Sequence, residues 1–298
     1  MNPSTESQSL ARTLIRDKSR PREIFDIAMT TLSGICIGLT VLPLFAVLIY
    51  VMIKGGSRLS LSLFTQLPPA AGQTGGGIAN AILGTFITVG IASVIAVPIG
   101  VLAAVYLSEF SFSSQTARQV ARSIRFATNV LSGVPSIIAG VFAYSLVVLT
   151  TGTFSAFAGG VALSVLMLPT IIRTTDEALK IVPQDIRWAS VGVGASNYQT
   201  VLKVVLPAAL PAILTGVTLA VARASGETAP LLFTALSSNF WPRGLMSPTP
   251  SLAVLVYNFS TSFDLKLQEL AWAASLVLVF LVLISSIIAR LATRQSQF

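Results

Sequence analysis

Residues 176–207 read DEALKIVPQDIRWASVGVGASNYQTVLKVVLP. Within this stretch Ile186, Ala189 and Val193 recur at roughly helical spacing. Gly192 and Gly194 follow, and glycine permits a break or a sharp turn. Ser196 with Gln199 has the pattern of a capping box for a second helix, one that runs into Val204, Val205 and Leu206 and ends at Pro207. The segment therefore predicts a helix, a glycine hinge and a second helix, set at an angle. Connections between packed helices usually take only roughly 2–8 residues. A connection this long and this patterned favours an element that docks a partner over an ordinary connecting loop.

Working outward, the stretch is flanked by long apolar runs: 25–53, 78–107, 126–149, 156–172, 209–236 and 270–289. The chain has 298 residues, 53% of them hydrophobic and 10% charged, whereas a soluble domain carries about 25% charge. So little charge cannot cover a water-facing surface, and lipid is the better solvent. Backbone polar groups in lipid must be satisfied within their own segment, so each run predicts a helix. Alternating segments of about ten residues, the mark of a membrane barrel, are not seen. The reading is an all-α membrane protein with six transmembrane helices. The first run spans a bilayer, which takes about 20 residues, and so reads as a retained helix rather than a signal peptide, whose apolar region is about 7–15 residues.

Basic residues set the orientation. With both termini cytoplasmic, fourteen lie inside: Arg12, Arg16, Lys18, Arg20, Arg22, Arg118, Arg122, Arg125, Arg173, Lys180, Arg187, Lys203, Arg290 and Arg294. Lys54, Arg58, Arg243 and Lys266 lie outside. The net charge of +8 follows from this placement and implies no nucleic acid. The predicted organisation is a basic cytoplasmic tail at 1–24, a first helix with its outer loop at 25–77, a transmembrane core at 78–290 and a cytoplasmic tail at 291–298. The outer loop 237–268 is expected to hold a short helix on the outer surface near Leu252–Phe259. Prolines 43, 98, 135, 169 and 230 interrupt spans and bend them.

Several function classes are disfavoured. The chain has no histidine and a single cysteine, Cys36, so the commonest general base is missing and no disulfide is possible. No Gly-Lys pair occurs, so the phosphate-cradling nucleotide loop is absent and the chain does not hydrolyse ATP itself. An intramembrane enzyme is argued against; a self-contained secondary transporter would leave the hinged segment without a purpose.

The hinged segment resembles the importer-type ABC permeases, whose cytoplasmic loop has the form E-A-A-x3-G-x9-I-x-L-P. Gly194 matches its glycine, Val204 its isoleucine, and Leu206 and Pro207 its closing pair. The opening triplet departs, reading Trp188, Ala189 and Ser190, with Ala195 following the glycine. Arg223–Ala235 (RASGETAPLLFTA), Leu168–Leu179 (LPTIIRTTDEAL) and Ser251–Phe259 (SLAVLVYNF) narrow the likeness to the A-type membrane subunit of phosphate-specific ABC transporters. The resemblance covers about residues 25–292. It implies a type I ABC importer permease fold, a multi-pass place in the bacterial inner membrane and a coupling loop at 176–207. It also implies a related C-type permease, two copies of an ATP-binding subunit, a periplasmic phosphate-binding protein, and ATP and Mg used by the ATPase partner with no cofactor on this chain. Molybdate or sulfate is the alternative cargo.

Two charges, Arg223 and Glu227, fall within the predicted fifth span. A charge at mid-bilayer costs about 2.5–3.5 kcal/mol on insertion scales, so such residues face a cavity or a partner. Being four apart, they share a helix face. Arg223 either lines an anion path, where a guanidinium matches oxyanion geometry, or closes an intrahelical ion pair with Glu227 that fixes packing. Glu227 repels an anion and is expected to orient Arg223, bind a partner cation or serve gating. Arg173 is either a snorkelling arginine or, as the resemblance implies, a second residue of the anion path. Asp176 and Glu177 are expected to be solvated loop acids.

Overall fold

The structure, a computed structural model, describes residues 21–70, 73, 75–111 and 114–294. The predicted basic tail through residue 20, with Arg12, Arg16, Lys18 and Arg20, and the C-terminal tail from 295 lie outside the described residues. The chain divides into two compact units, Met1–Ile53 and Lys54–Phe298. Most of α1 (Pro21–Gly56) belongs to the first. Its Thr31 and Thr40 hydroxyls donate to the carbonyls of Ile27 and Cys36 one turn back, so these polar groups carry their own partners into lipid.

The second unit is built from α2 (Leu61–Thr65), α3 (Ala79–Phe110), α4 (Gln115–Gly133), α5 (Ser136–Thr151), α6 (Ala156–Ile181), α7 (Gln184–Gly192), α8 (Asn197–Ser225), α9 (Ala229–Leu232), α10 (Leu252–Ser260) and α11 (Leu265–Arg294). By length and composition α1, α3, α6, α8 and α11 can each cross a membrane, and α4 with α5 adds a sixth, broken crossing. The spans from α3 onward centre on α6, which packs along α3 and α8. One core joins Val89 and Ala96 of α3 to Leu163 and Ile171 of α6 and Ala220 of α8. Lipid tails are as apolar as leucine, so spans associate by close approach of small residues. Gly100 shows this: a Cβ there would meet the Ile171 side chain at 2.7 Å.

The structure corrects several sequence-based boundaries. The third run is no single helix: α4 and α5 meet at 110° across Val134–Pro135, because proline disfavours helical geometry in the residue before it. The Ser114 hydroxyl caps α4 by accepting from the Ala117 amide, so Arg118, Arg122 and Arg125 lie on a helix rather than in a loop. The α6 helix continues through Asp176 and Glu177 to Ile181. The second helix of the hinged segment does not end at Pro207. It passes through a π-turn at Val201–Val205 and becomes the fifth span. A widened turn offers room for the prolyl ring, which in a regular helix clashes with the carbonyl four residues back. The fifth span stops at Ser225 rather than near Leu236. Lastly, α10 does not lie on the outer surface. Its first turn, Leu252–Leu255, is buried in the core, and the Leu252 amide donates to the Thr85 hydroxyl of α3 at 2.9 Å.

Candidate substrate cavity and coupling segment

The face of α6 carrying Pro169, Arg173 and Glu177, residues spaced by four and therefore stacked on one side, lines a half-open polar cavity of about 340 Å³. Arg223, from the last turn of α8, lines the same cavity, as does Ser132 of α4. The two arginines singled out in the sequence thus converge. A volume of this size sits at the lower end for ligand sites, roughly 300–1,000 Å³.

Each arginine is lightly held. The Arg223 side chain is 68% exposed, and its Nε lies 3.7 Å from Glu227 Oε1. The shared helix face is lost, because Glu227 stands beyond the end of α8. The chain leaves the helix there since Pro230 has no N–H for the Gly226 carbonyl. The last turn tightens, with Gly226 and Glu227 amides donating to the carbonyls of Arg223 and Ala224. A cation in the last turn also complements the negative end of the helix. Arg173 donates from Nη2 to Asn129 Oδ1 at 3.0 Å. It lies within α6, about two turns before the helix ends at Ile181.

Arg173 also lines a smaller cavity of about 150 Å³ with Arg125, Asn129 and Asp176. Asp176 is no solvated loop acid: it is buried, and its Oδ2 pairs with Lys180 and, at 3.6 Å, with Arg125. The reason is placement on the buried side of α6, next to Thr175 and Ala178. Glu177, about 100° further round the helix, is exposed and lines the larger cavity.

In the coupling segment, Val182–Pro183 ends α6 and α7 begins at Gln184. Gly194 then takes φ +92°, a left-handed conformation that costs a residue with a Cβ about 1–2 kcal/mol. The Gly194 amide donates to Val191 O and the Ala195 amide to Ser190 O, the paired closure of a Schellman motif. The predicted capping box is present: Ser196 Oγ accepts from the Gln199 amide, and the Ser196 amide donates to Gln199 Oε1 at 3.0 Å. The hydroxyls of Ser190 and Thr200 join across the hinge at 2.9 Å.

The residues expected to dock a partner divide into two sets. Trp188, Ala189 and Gly194 are exposed, Trp188 at 68% and neighbouring Val193 at 87%. Ser190 and Ala195 are half-buried, and Pro207 is exposed at the start of the straight part of α8. Val204 and Leu206 are half-buried, with Leu206 packed against a core that holds Val105, Leu179 and Val205. They hold the segment rather than present it. Tyr198 and Val191 add exposed apolar surface; the cue available in the sequence was apolar residues on a loop rich in polar ones. Sequence reasoning also missed Asn129, whose contact with Arg173 joins residues far apart in the chain.

Residues 96–296 match the family model described as binding-protein-dependent transport system inner membrane component. A phosphate transport system permease protein PstA from Yersinia pestis is 41% identical over 237 residues, covering 80% of this chain and 79% of that protein. A PstA from Haemophilus influenzae is 42% identical over 245 residues, covering 82% and 85%. Among solved structures, the inward-facing MetNI methionine ABC transporter matches with a TM-score of 0.57 at 22% identity, covering 74% of this chain and 95% of that one. A bacterial alginate ABC transporter matches at 0.64 and 11%, covering 94% and 98%. The fold is therefore that of the type I ABC importer permeases, and the chain belongs to the binding-protein-dependent inner membrane components, within them to the PstA permeases. It is a multi-pass inner-membrane protein.

Proposed function

We propose that this chain is the permease subunit that passes inorganic phosphate inward across the bacterial inner membrane in an ATP-driven ABC importer. The observation that carries the reading is the convergence of Arg173 and Arg223 on one polar cavity. Guanidinium groups present forked donors that match phosphate oxygens and stay charged at any physiological pH. Both keep donors unused by the protein's own tight hydrogen bonds. Glu227 sets the position of Arg223, and Glu177 prevents the cavity from holding an anion so tightly that release stalls.

The energy comes from a separate ATPase, two copies of which use ATP and Mg. The exposed apolar residues of α7 and the hinge are the docking surface for one copy, in keeping with buried aromatic anchors at interfaces. A related C-type permease closes the open side of the cavity, and a periplasmic binding protein delivers phosphate. The termini face the cytoplasm, and no cofactor is bound by this chain.

The test is to purify the complex with its ATPase and binding protein, then measure which oxyanion stimulates ATP hydrolysis. Phosphate is expected to stimulate; stimulation by molybdate or sulfate alone would overturn the cargo, and hydrolysis indifferent to all three would overturn the oxyanion reading.

A further inference from the structure

Arg187 directly precedes the exposed Trp188 on α7 but turns inward, with a side chain 13% exposed. Its Nη2 donates to Glu109 Oε1 at 2.8 Å and to the Leu179 carbonyl at 2.8 Å. Its Nη1 donates to the Val182 carbonyl at 3.0 Å. Those carbonyls lie at the end of α6, where few intrahelical donors remain; the Leu179 carbonyl also accepts from the Val182 amide at 3.3 Å. Glu109 lies in the π-turn at Tyr106–Phe110 that finishes α3, its side chain 11% exposed, and the Ser108 hydroxyl fixes the same oxygen. A single guanidinium thus joins the docking helix to the ends of two spans.

Those two spans lead to the cavity. Near its end α3 meets α4 through Arg125, which donates to the Leu107 carbonyl and pairs with Asp176 of α6. One turn along α4, Asn129 holds Arg173.

We propose that the Glu109–Arg187 pair is the positioning device that makes α7 move as one body with α3 and α6, so that the ATPase cycle reaches the substrate cavity; this rests on the transport reading above. A buried ion pair is a poor device for stability alone, because apolar side chains of similar volume often pack as well. What it supplies instead is direction. Charge-assisted bonds from a planar guanidinium fix angle as well as distance, whereas an apolar contact slides. Without the pair, α7 is attached through the Val182–Pro183 connector and the Gly194 hinge, with the Ser190–Thr200 contact on its far side, and none of these reaches α3.

The experiment uses the whole transporter in proteoliposomes with its binding protein. Glu109→Gln leaves Trp188 and the docking surface intact, so the ATPase still co-purifies. Basal ATP hydrolysis, measured without the binding protein, is expected to stay within about twofold of wild type, while its stimulation by the loaded binding protein is lost and phosphate moved per ATP falls on the order of tenfold, the size of a typical coupling between sites. Uptake and hydrolysis falling in step, or an unchanged ratio, would overturn the proposal. A second variant, Glu109→Cys with Arg187→Cys in a Cys36→Ser background, removes the pair and lets a short bifunctional thiol reagent replace it. Crosslinking is expected to restore the stimulation of ATP hydrolysis by the loaded binding protein, and reductive release to remove it again. A crosslink that forms without restoring stimulation overturns the tie. If the wild-type complex moves no phosphate, the transport reading fails by itself, and the crosslinked variant still decides the tie through hydrolysis.

Discussion

Arg187 and Arg223 carry the same guanidinium, and the structure uses it in opposite ways. Arg187 is nearly buried and spends its donors on one carboxylate and two carbonyls. Arg223 is largely exposed and has a single carboxylate at 3.7 Å. The first has little left for a ligand; the second has most of its donors available. Charge alone therefore does not mark a transport site. On the proposed reading, the spare hydrogen-bonding capacity of a charge that faces a cavity does. The same contrast divides the two regions: the cavity is lightly tied and accessible, and the coupling segment is closed by a Schellman motif, a capping box and an arginine that makes three hydrogen bonds inward.

The comparison breaks most readily at Trp188, whose exposure the proposed docking accounts for. Trp188→Ala is expected to weaken retention of the ATPase by about 2–4 kcal/mol, the range of an interface hot spot. It is measured as ATPase binding to the immobilised permease complex; unchanged binding would move the docking surface off α7. Next comes Arg223→Gln. Losing a charged hydrogen-bonding partner for the anion costs about 1.5–3 kcal/mol, seen in phosphate uptake kinetics at equal membrane abundance. Unchanged kinetics would leave Arg223 with only its ion pair to Glu227, a packing role. Asn129→Ala is the smallest. It frees the Arg173 guanidinium without removing its charge, so apparent phosphate affinity should fall by about 0.5–1.5 kcal/mol with the maximal rate nearly kept. A fall in rate with affinity unchanged would instead assign Asn129 to the path between cavity and coupling segment.

The crossings were legible in the sequence because each is a long apolar run with few charges, and their number survives once α4 and α5 count as a bent pair. The hinge was legible as well, since Gly194, Ser196 and Gln199 act within a few residues of one another. What escaped was decided at a distance. Leu252–Phe259 is apolar enough for either a surface or a core, and Thr85 of α3 draws its first turn inward. Asp176 looked solvated because its partner Arg125 lies about 50 positions away. Arg173 and Arg223 each had two readings, and only packing of α6 against α8 puts both on one cavity.

The π-turn at Val201–Val205 turns a count of residues into a phase angle. One residue of α-helix is about 100° of rotation, and a π-turn holds one more residue than the α-turn it replaces. Adding or deleting a single residue between Gly194 and Pro207 would rotate the α7 end of the segment about the axis of the fifth span by that angle, turning Trp188 away from its proposed partner while leaving every span intact. The fixed glycine-to-proline spacing therefore acts as a mechanical dimension, like the pitch of a thread, held to a tolerance of less than one residue.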